Sequence, residues 1–163
     1  MHQYKEFKQP DAGGCKLGKR TVAPHLYALE EFGVQVATKN NYYHATIKKK
    51  QARDVTLYEM GETVSENVLM AAALTDGVTI LRNISSNYMV QDMCFFLEVC
   101  GVKIEGIGSN TLTVHGIKDI NKDVTYAPSE DPIEAMSFLS AGITTNSHIT
   151  IRRSPINFLR VEL

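Results

Sequence analysis

Asp11-Ala12-Gly13-Gly14-Cys15-Lys16-Leu17-Gly18-Lys19-Arg20 sets one thiol among three glycines and three cations, with His25 five residues further on. Glycines let a backbone bend and approach a ligand closely. Lys16, Lys19 and Arg20 suit a phosphate or carboxylate, and the guanidinium fork grips such oxygens in pairs. The same positive field, with a helix expected to start just beyond, lowers a thiol pKa and makes Cys15 a candidate reactive group. Two readings follow from the residues alone: an anion-binding loop with an activated thiol, or a surface loop with an incidental cysteine. Cys94 and Cys100 lie in an apolar helical stretch and read as core. The spacing of the three cysteines matches neither a zinc site nor an even-numbered disulfide framework, so no metal or cofactor is expected.

The chain that carries this segment has 163 residues, 44% of them hydrophobic and 21% charged. That composition excludes intrinsic disorder, and the length supports one sizeable core without a disulfide or metal. No run approaches the roughly 18 apolar residues of a membrane span, and Met1–Phe7 has no apolar targeting core, so a cytoplasmic protein is expected. The net charge of −1 hides an asymmetry: residues 1–53 carry ten basic and four acidic groups, residues 54–163 seven and fourteen. Anions should therefore go to the first third. Tyr42-Tyr43-His44 beside Lys48-Lys49-Lys50 is the one hint of nucleic-acid binding, and it reads more simply as a half-buried strand ending in a solvated lysine run.

Sliding the sequence along itself by about 68 to 70 residues exposes a repeat. Ala28–Val36 matches Phe96–Ile104, each a helix end, a glycine suited to a left-handed cap, and an alternating strand. Asp76–Arg82 likewise matches Asn146–Arg152. The whole unit reads between residues 54 and 117: strand Val55–Tyr58, turn at Gly61, and a helix to about Thr75 opened by a Thr63/Glu66 capping box. Strand Val78–Asn83 and a helix capped by Ser86 or Asn87 follow, then strands Val102–Glu105 and Thr111–Val114. In the second helix Met89, Met93, Phe96, Leu97 and Cys100 share one face.

The expected fold class is α+β, built of repeated βαβαββ units with two helices on one side of a four-stranded sheet. Residues 1–53 read as the second half of a unit and 54–120 as a complete one. Residues 121–163 read as an unfinished one: strand Val124–Ala127, a helix from Asp131-Pro132, strand Ile149–Arg152 and a helix from Ser154-Pro155. This pattern is that of part of a larger protein. Apolar side chains such as Met89, Met93, Phe96, Phe158 and Leu159 would then lack cover, and self-association is expected.

Gly13-Gly14-Cys15-x-Leu17-Gly18-x-Arg20-x-Val22-x-x-His25 resembles the catalytic-loop signature of the enolpyruvyl transferase family, in the branch that acts on UDP-N-acetylglucosamine. The same family includes 5-enolpyruvylshikimate-3-phosphate synthase. Thr63–Ala72, Asp92–Gly101, Gly108–Gly116 and Asp131–Glu134 also fall in register with it, so nearly the whole chain is covered. The resemblance implies two domains, each an inside-out α/β barrel of three βαβαββ units. It implies transfer of the enolpyruvyl group of phosphoenolpyruvate to a sugar hydroxyl of a nucleotide sugar, in peptidoglycan precursor synthesis. Cys15 then matches the loop cysteine assigned to acid or covalent work. Arg20, Val22, His25, Gly61 and Thr63 match substrate-binding positions. His25 has a second reading, as a helix-terminal residue capping its own turn.

The chain also departs from that family. Thr21-Val22-Ala23 stands where Pro-Val-Asp is usual, so a carboxylate near the nucleotide is absent. Glu59-Met60-Gly61-Glu62-Thr63 stands where Lys-x-Ser-x-Gly is usual, and an acidic group there repels a diphosphate. The family's second domain, which closes over phosphoenolpyruvate, is not in this sequence, so the isolated chain is expected to be inactive. Two other readings are a non-catalytic ligand-binding homologue and an RNA-binding module like the RNA 3′-terminal phosphate cyclases.

Overall fold

A computed structural model describes residues 4–10, 21–40, 42–160 and 163. The elements are β1 (Glu6–Pro10), α1 (Ala23–Glu30), β2 (Val34–Lys39), β3 (Tyr42–Ile47), β4 (Asp54–Thr56), α2 (Glu62–Ala73), β5 (Gly77–Arg82), α3 (Tyr88–Val99), β6 (Lys103–Glu105), β7 (Thr111–Gly116) and α4 (Pro132–Thr144). A single 3₁₀ turn, Ile156–Phe158, follows. The chain divides into two compact units, residues 1–124 and 125–163. The division leaves the first 53 residues and the following βαβαββ stretch in one unit. Phe32 and Ala28 of the α1 region sit in the same apolar core as Val55, Leu69, Leu81, Leu97 and Val114.

Residues 54–116 form the βαβαββ unit read from the sequence, as a four-stranded sheet in the order β4-β5-β7-β6. β4 and β5 run parallel, while β5–β7 and β6–β7 are antiparallel. Alternation decides which face is covered. Val55, Thr79, Leu81, Ile104, Leu112 and Val114 are buried, whereas Asp54, Thr56, Val78, Arg82, Lys103 and Glu105 are exposed. Both helices pack on the buried face, α2 with its Val64, Val68, Leu69 and Ala71–Ala73 and α3 with its Val90, Cys94 and Leu97.

The first sheet, in the order β1-β3-β2, repeats half of this pattern. In β1-α1-β2-β3 the last strand pairs antiparallel with both others, as β7 does in β5-α3-β6-β7. Strand β1 has no counterpart in the sequence reading, which places the half-unit in residues 1–53 but names no strand before the helix. The helix-to-strand junctions agree closely. Gly33 (φ 82°) and Gly101 (φ 103°) both take the left-handed conformation. Their amides donate to Glu30 at 2.8 Å and Glu98 at 2.9 Å, ending α1 and α3 where the sequence predicts.

Four expectations need correction. The Thr63/Glu66 capping box does not form. The N-cap of α2 is Gly61, two residues before Thr63, and the Ser65 hydroxyl donates to the Gly61 carbonyl at 2.6 Å. The buried stripe of α3 is Val90, Cys94 and Leu97, with Cys100 also buried; Met89 and Phe96 are exposed and Met93 is partly covered. The sequence face is rotated because apolar residues surround α3 and periodicity alone cannot choose among them. Strand β4 is short, ending at Thr56 instead of Tyr58. Finally, Val124–Ala127 and Ile149–Arg152 are not strands, and the helix expected from Ser154 is one 3₁₀ turn. In the first unit the parallel β4–β5 pair leans on β7, which pairs all of β5. No described residue of 125–163 supplies that third strand. The α4 start does hold: Asp131 accepts from Ile133 N at 2.8 Å, with Pro132 in the first turn.

Burial and charge fall on opposite faces of this sheet. Leu81 is fully buried in β5, an interior strand of the sheet, while its neighbour Arg82 pairs with Asp54 at 2.9 Å on the exposed face. Leu81→Ala should cost about 2–5 kcal/mol in urea unfolding. Arg82→Ala should leave the midpoint almost unmoved, because exposed ion pairs are screened.

Candidate active site at the starts of α1 and α2

Parallel strands β4 and β5 end at the same edge of their sheet, and each leads into a helix, so α2 and α3 both begin at that edge. Two side-chain bridges hold these starts together. Asn87 caps α3 by accepting from Met89 N at 3.0 Å, and its amide donates to Glu62 of α2 at 2.6 Å. Buried Ser65, which donates to the Gly61 carbonyl, accepts from Ser85 N at 3.0 Å. The sequence offered Ser86 or Asn87 as the cap, and Asn87 takes it.

α1 reaches the same place from the other sheet. Its N-cap is Val22, whose carbonyl accepts from His25 N and Leu26 N at 3.1 Å, and Pro24 in the first turn is buried. Thr21 Oγ1 accepts from Ala23 N at 3.1 Å. His25 does not cap its own turn through the ring. Its Nδ1 lies 2.8 Å from Nδ2 of Asn67 on α2. Asn67 stands one turn beyond Thr63, on the same side of α2. Two residues past His25, Tyr27 meets Tyr58 edge-to-face at 5.1 Å between ring centroids. Of the expected site residues, Val22, His25, Gly61 and Thr63 thus fall at two adjoining helix starts. Cys15 and Arg20, with Lys16 and Lys19, lie outside the described residues. The sequence reading did not single out Asn67, Tyr27 or Tyr58, which the structure places beside these helix starts; the i, i+4 spacing from Thr63 was the available signal for Asn67.

The electrostatics of the α2 start is acidic. Gly61 has no side chain, and a Cβ built there would lie 3.2 Å from Glu59 Oε1. The Glu59 carboxylate therefore stands beside a helix end whose first amides have no intrahelical acceptor. A carboxylate suits that end and repels a second anion. Desolvation, with Glu59 adding to it, raises the Tyr58 phenol above its ordinary value. The two described thiols are unsuited to chemistry: Cys94 is buried and its pKa is pushed up to about 12, by desolvation and then by Glu98, and Cys100 is buried as well. Among the described residues there is no cluster of three or more metal-ligating side chains, and no helix is long and apolar enough to cross a membrane.

A helix-covered α+β unit with paired helix starts at the strand ends matches a known class. Residues 11–163 match the EPSP synthase (3-phosphoshikimate 1-carboxyvinyltransferase) family, and the chain belongs to it. Among solved structures it resembles the enolpyruvyl transferase NikO from Streptomyces tendae, with a TM-score of 0.66 at 22% identity, over 86% of this chain and 34% of that one. Among curated relatives it is similar to proteins named UDP-N-acetylglucosamine 1-carboxyvinyltransferase. That of Bradyrhizobium diazoefficiens is 39% identical over 95% of this chain and 36% of its own length. That of Ruthia magnifica is 36% identical over 93% and 36%, and that of Helicobacter pylori strain P12 is 35% identical over 98% and 38%. The chain thus spans little more than a third of these relatives.

Native alkylation at neutral pH should spare Cys94 and Cys100 and report on Cys15 alone. Mass spectrometry should find one fast adduct, lost in Cys15→Ser; modification of Cys94 at a comparable rate would contradict the buried, protonated thiol described above.

Proposed function

We propose that the chain is part of an enolpyruvyl transferase that moves the enolpyruvyl group of phosphoenolpyruvate to a sugar hydroxyl, with UDP-N-acetylglucosamine as acceptor, in peptidoglycan precursor synthesis. The observation that carries this is the run Gly13-Gly14-Cys15 to Arg20 and His25, which enters α1 beside Asn67 and the α2 start, in a chain whose relatives bear that enzyme's name. The repeated strand and helix order supports assembly of such units into an inside-out barrel. Family membership favours this reading over RNA binding.

In the reaction a proton adds to C3 of phosphoenolpyruvate and the sugar oxygen bonds to C2, giving up its own proton to a base. The C–O bond to phosphate then breaks as a proton leaves C3, which yields the enolpyruvyl ether and inorganic phosphate. Cys15 is the group for acid or covalent work on this route, and Arg20 the fork for the anionic substrate. Val22, His25, Gly61 and Thr63 line the acceptor.

Catalysis by preorganised charge needs every part of the site at once, so this chain alone should release no phosphate from phosphoenolpyruvate and UDP-N-acetylglucosamine. Turnover at a rate typical of enzymes, about 1 per second or more, would refute that. Glu59 bears on the acceptor. Removing its repulsion, about 1 kcal/mol for a pair screened by water, should let Glu59→Lys bind UDP-N-acetylglucosamine roughly fivefold tighter by calorimetry. Unchanged or weaker binding would mean that the α2 start does not meet the diphosphate. That result would favour a homologue with a different acceptor. The exposed Met70, Met89, Phe96 and Val99 on α2 and α3 support self-association of the isolated chain, and a monomer by light scattering at high concentration would count against it.

A further inference from the structure

His25 is half-buried at the start of α1, and its ring has one polar contact among the described residues, the 2.8 Å approach of Asn67 Nδ2 to Nδ1. An amide nitrogen only donates, so Nδ1 accepts and the neutral ring carries its proton on Nε2. Turning the Asn67 amide over would bring its oxygen to the ring and demand the opposite tautomer. Which nitrogen His25 offers to a ligand is thus decided on α2, 42 residues away in the chain.

We propose that Asn67 is a positioning residue: by donating to Nδ1 it holds His25 in the Nε2–H form, so that the ring meets an anionic substrate oxygen as a hydrogen-bond donor and not as a base. This rests on reading His25 as a substrate-facing residue. The contact spends Nδ1 inside the protein, and Nε2 is the only polar ring atom left for a ligand. A fixed donor suits a phosphate or carboxylate oxygen, which only accepts. It also removes His25 from candidacy for the acid that protonates C3, because a neutral Nε2–H imidazole is a poor acid, and leaves that work to Cys15. Asn67 shares its side of α2 with Thr63, so one helix face both orients His25 and carries a candidate contact of its own.

The tautomer is directly measurable by long-range ¹H–¹⁵N NMR on the labelled full chain, at a pH well above the ordinary imidazole range. The His25 signal, assigned by its loss in His25→Gln, should show the Nε2–H pattern. Asn67→Asp is nearly isosteric and its carboxylate only accepts, so it should move the proton to Nδ1 and leave His44, His115 and His148 unchanged. A wild-type ring with its proton on Nδ1, or an Asn67→Asp ring with an unmoved tautomer, would overturn the proposal. Addition of phosphoenolpyruvate and UDP-N-acetylglucosamine separates the two layers of the argument. A shift of His25 Nε2 supports the donor role. A fixed tautomer whose Nε2 signal answers neither ligand overturns the substrate-facing role and leaves Asn67 a structural partner only.

Discussion

The organisation of residues 1–124 follows from a sheet that can be covered on one face only. Val55, Thr79, Leu81, Ile104, Leu112 and Val114 all point the same way, and two helices must shield them. Because β4 and β5 are parallel, the helices that follow them start at a common edge. Free backbone amides of helix N-termini gather there, and that is where an anion is best held. The hydrophobic demand of the core thus creates the polar property of the edge. α1 joins by burying Ala28 and Phe32 in the same core, which brings His25 beside Asn67 of α2.

Hydrogen bonds between side chains then set the fine geometry. Ser65, Asn87 and Glu62 lock α2 to α3, and Asn67 with His25 locks α2 to α1. None of these contacts is large in energy, and each net contribution is about 1 kcal/mol. Their value is directional: they fix which atoms are spent inside the protein and which remain for a ligand. Glu59 works against the general electropositivity of such an edge. Its carboxylate stands at the α2 start and lowers the pull of that helix end on a second anion.

The three cysteines illustrate how environment sorts identical side chains. Cys94 and Cys100 are both buried, within α3 and at its end, and desolvation raises the Cys94 thiol pKa. Cys15 is surrounded in sequence by lysines, an arginine and glycines, conditions that favour the thiolate.

Much of this was legible in the residues themselves. The order of elements between 54 and 117, the glycine caps at Gly33 and Gly101, the Asp131-Pro132 start and the repeated helix-glycine-strand junction are local patterns, written in spacings that a helix or strand imposes on its own residues. Three things were decided elsewhere. The inward face of α3 depended on what lies beneath it, since apolar residues ring that helix. Whether Val124–Ala127 and Ile149–Arg152 become strands depended on a neighbouring strand, because a ladder is a contract between two segments and neither can honour it alone. The partner of His25 depended on two helices brought together by burial. Periodicity reports what one segment prefers, and only packing reports which distant atom it meets.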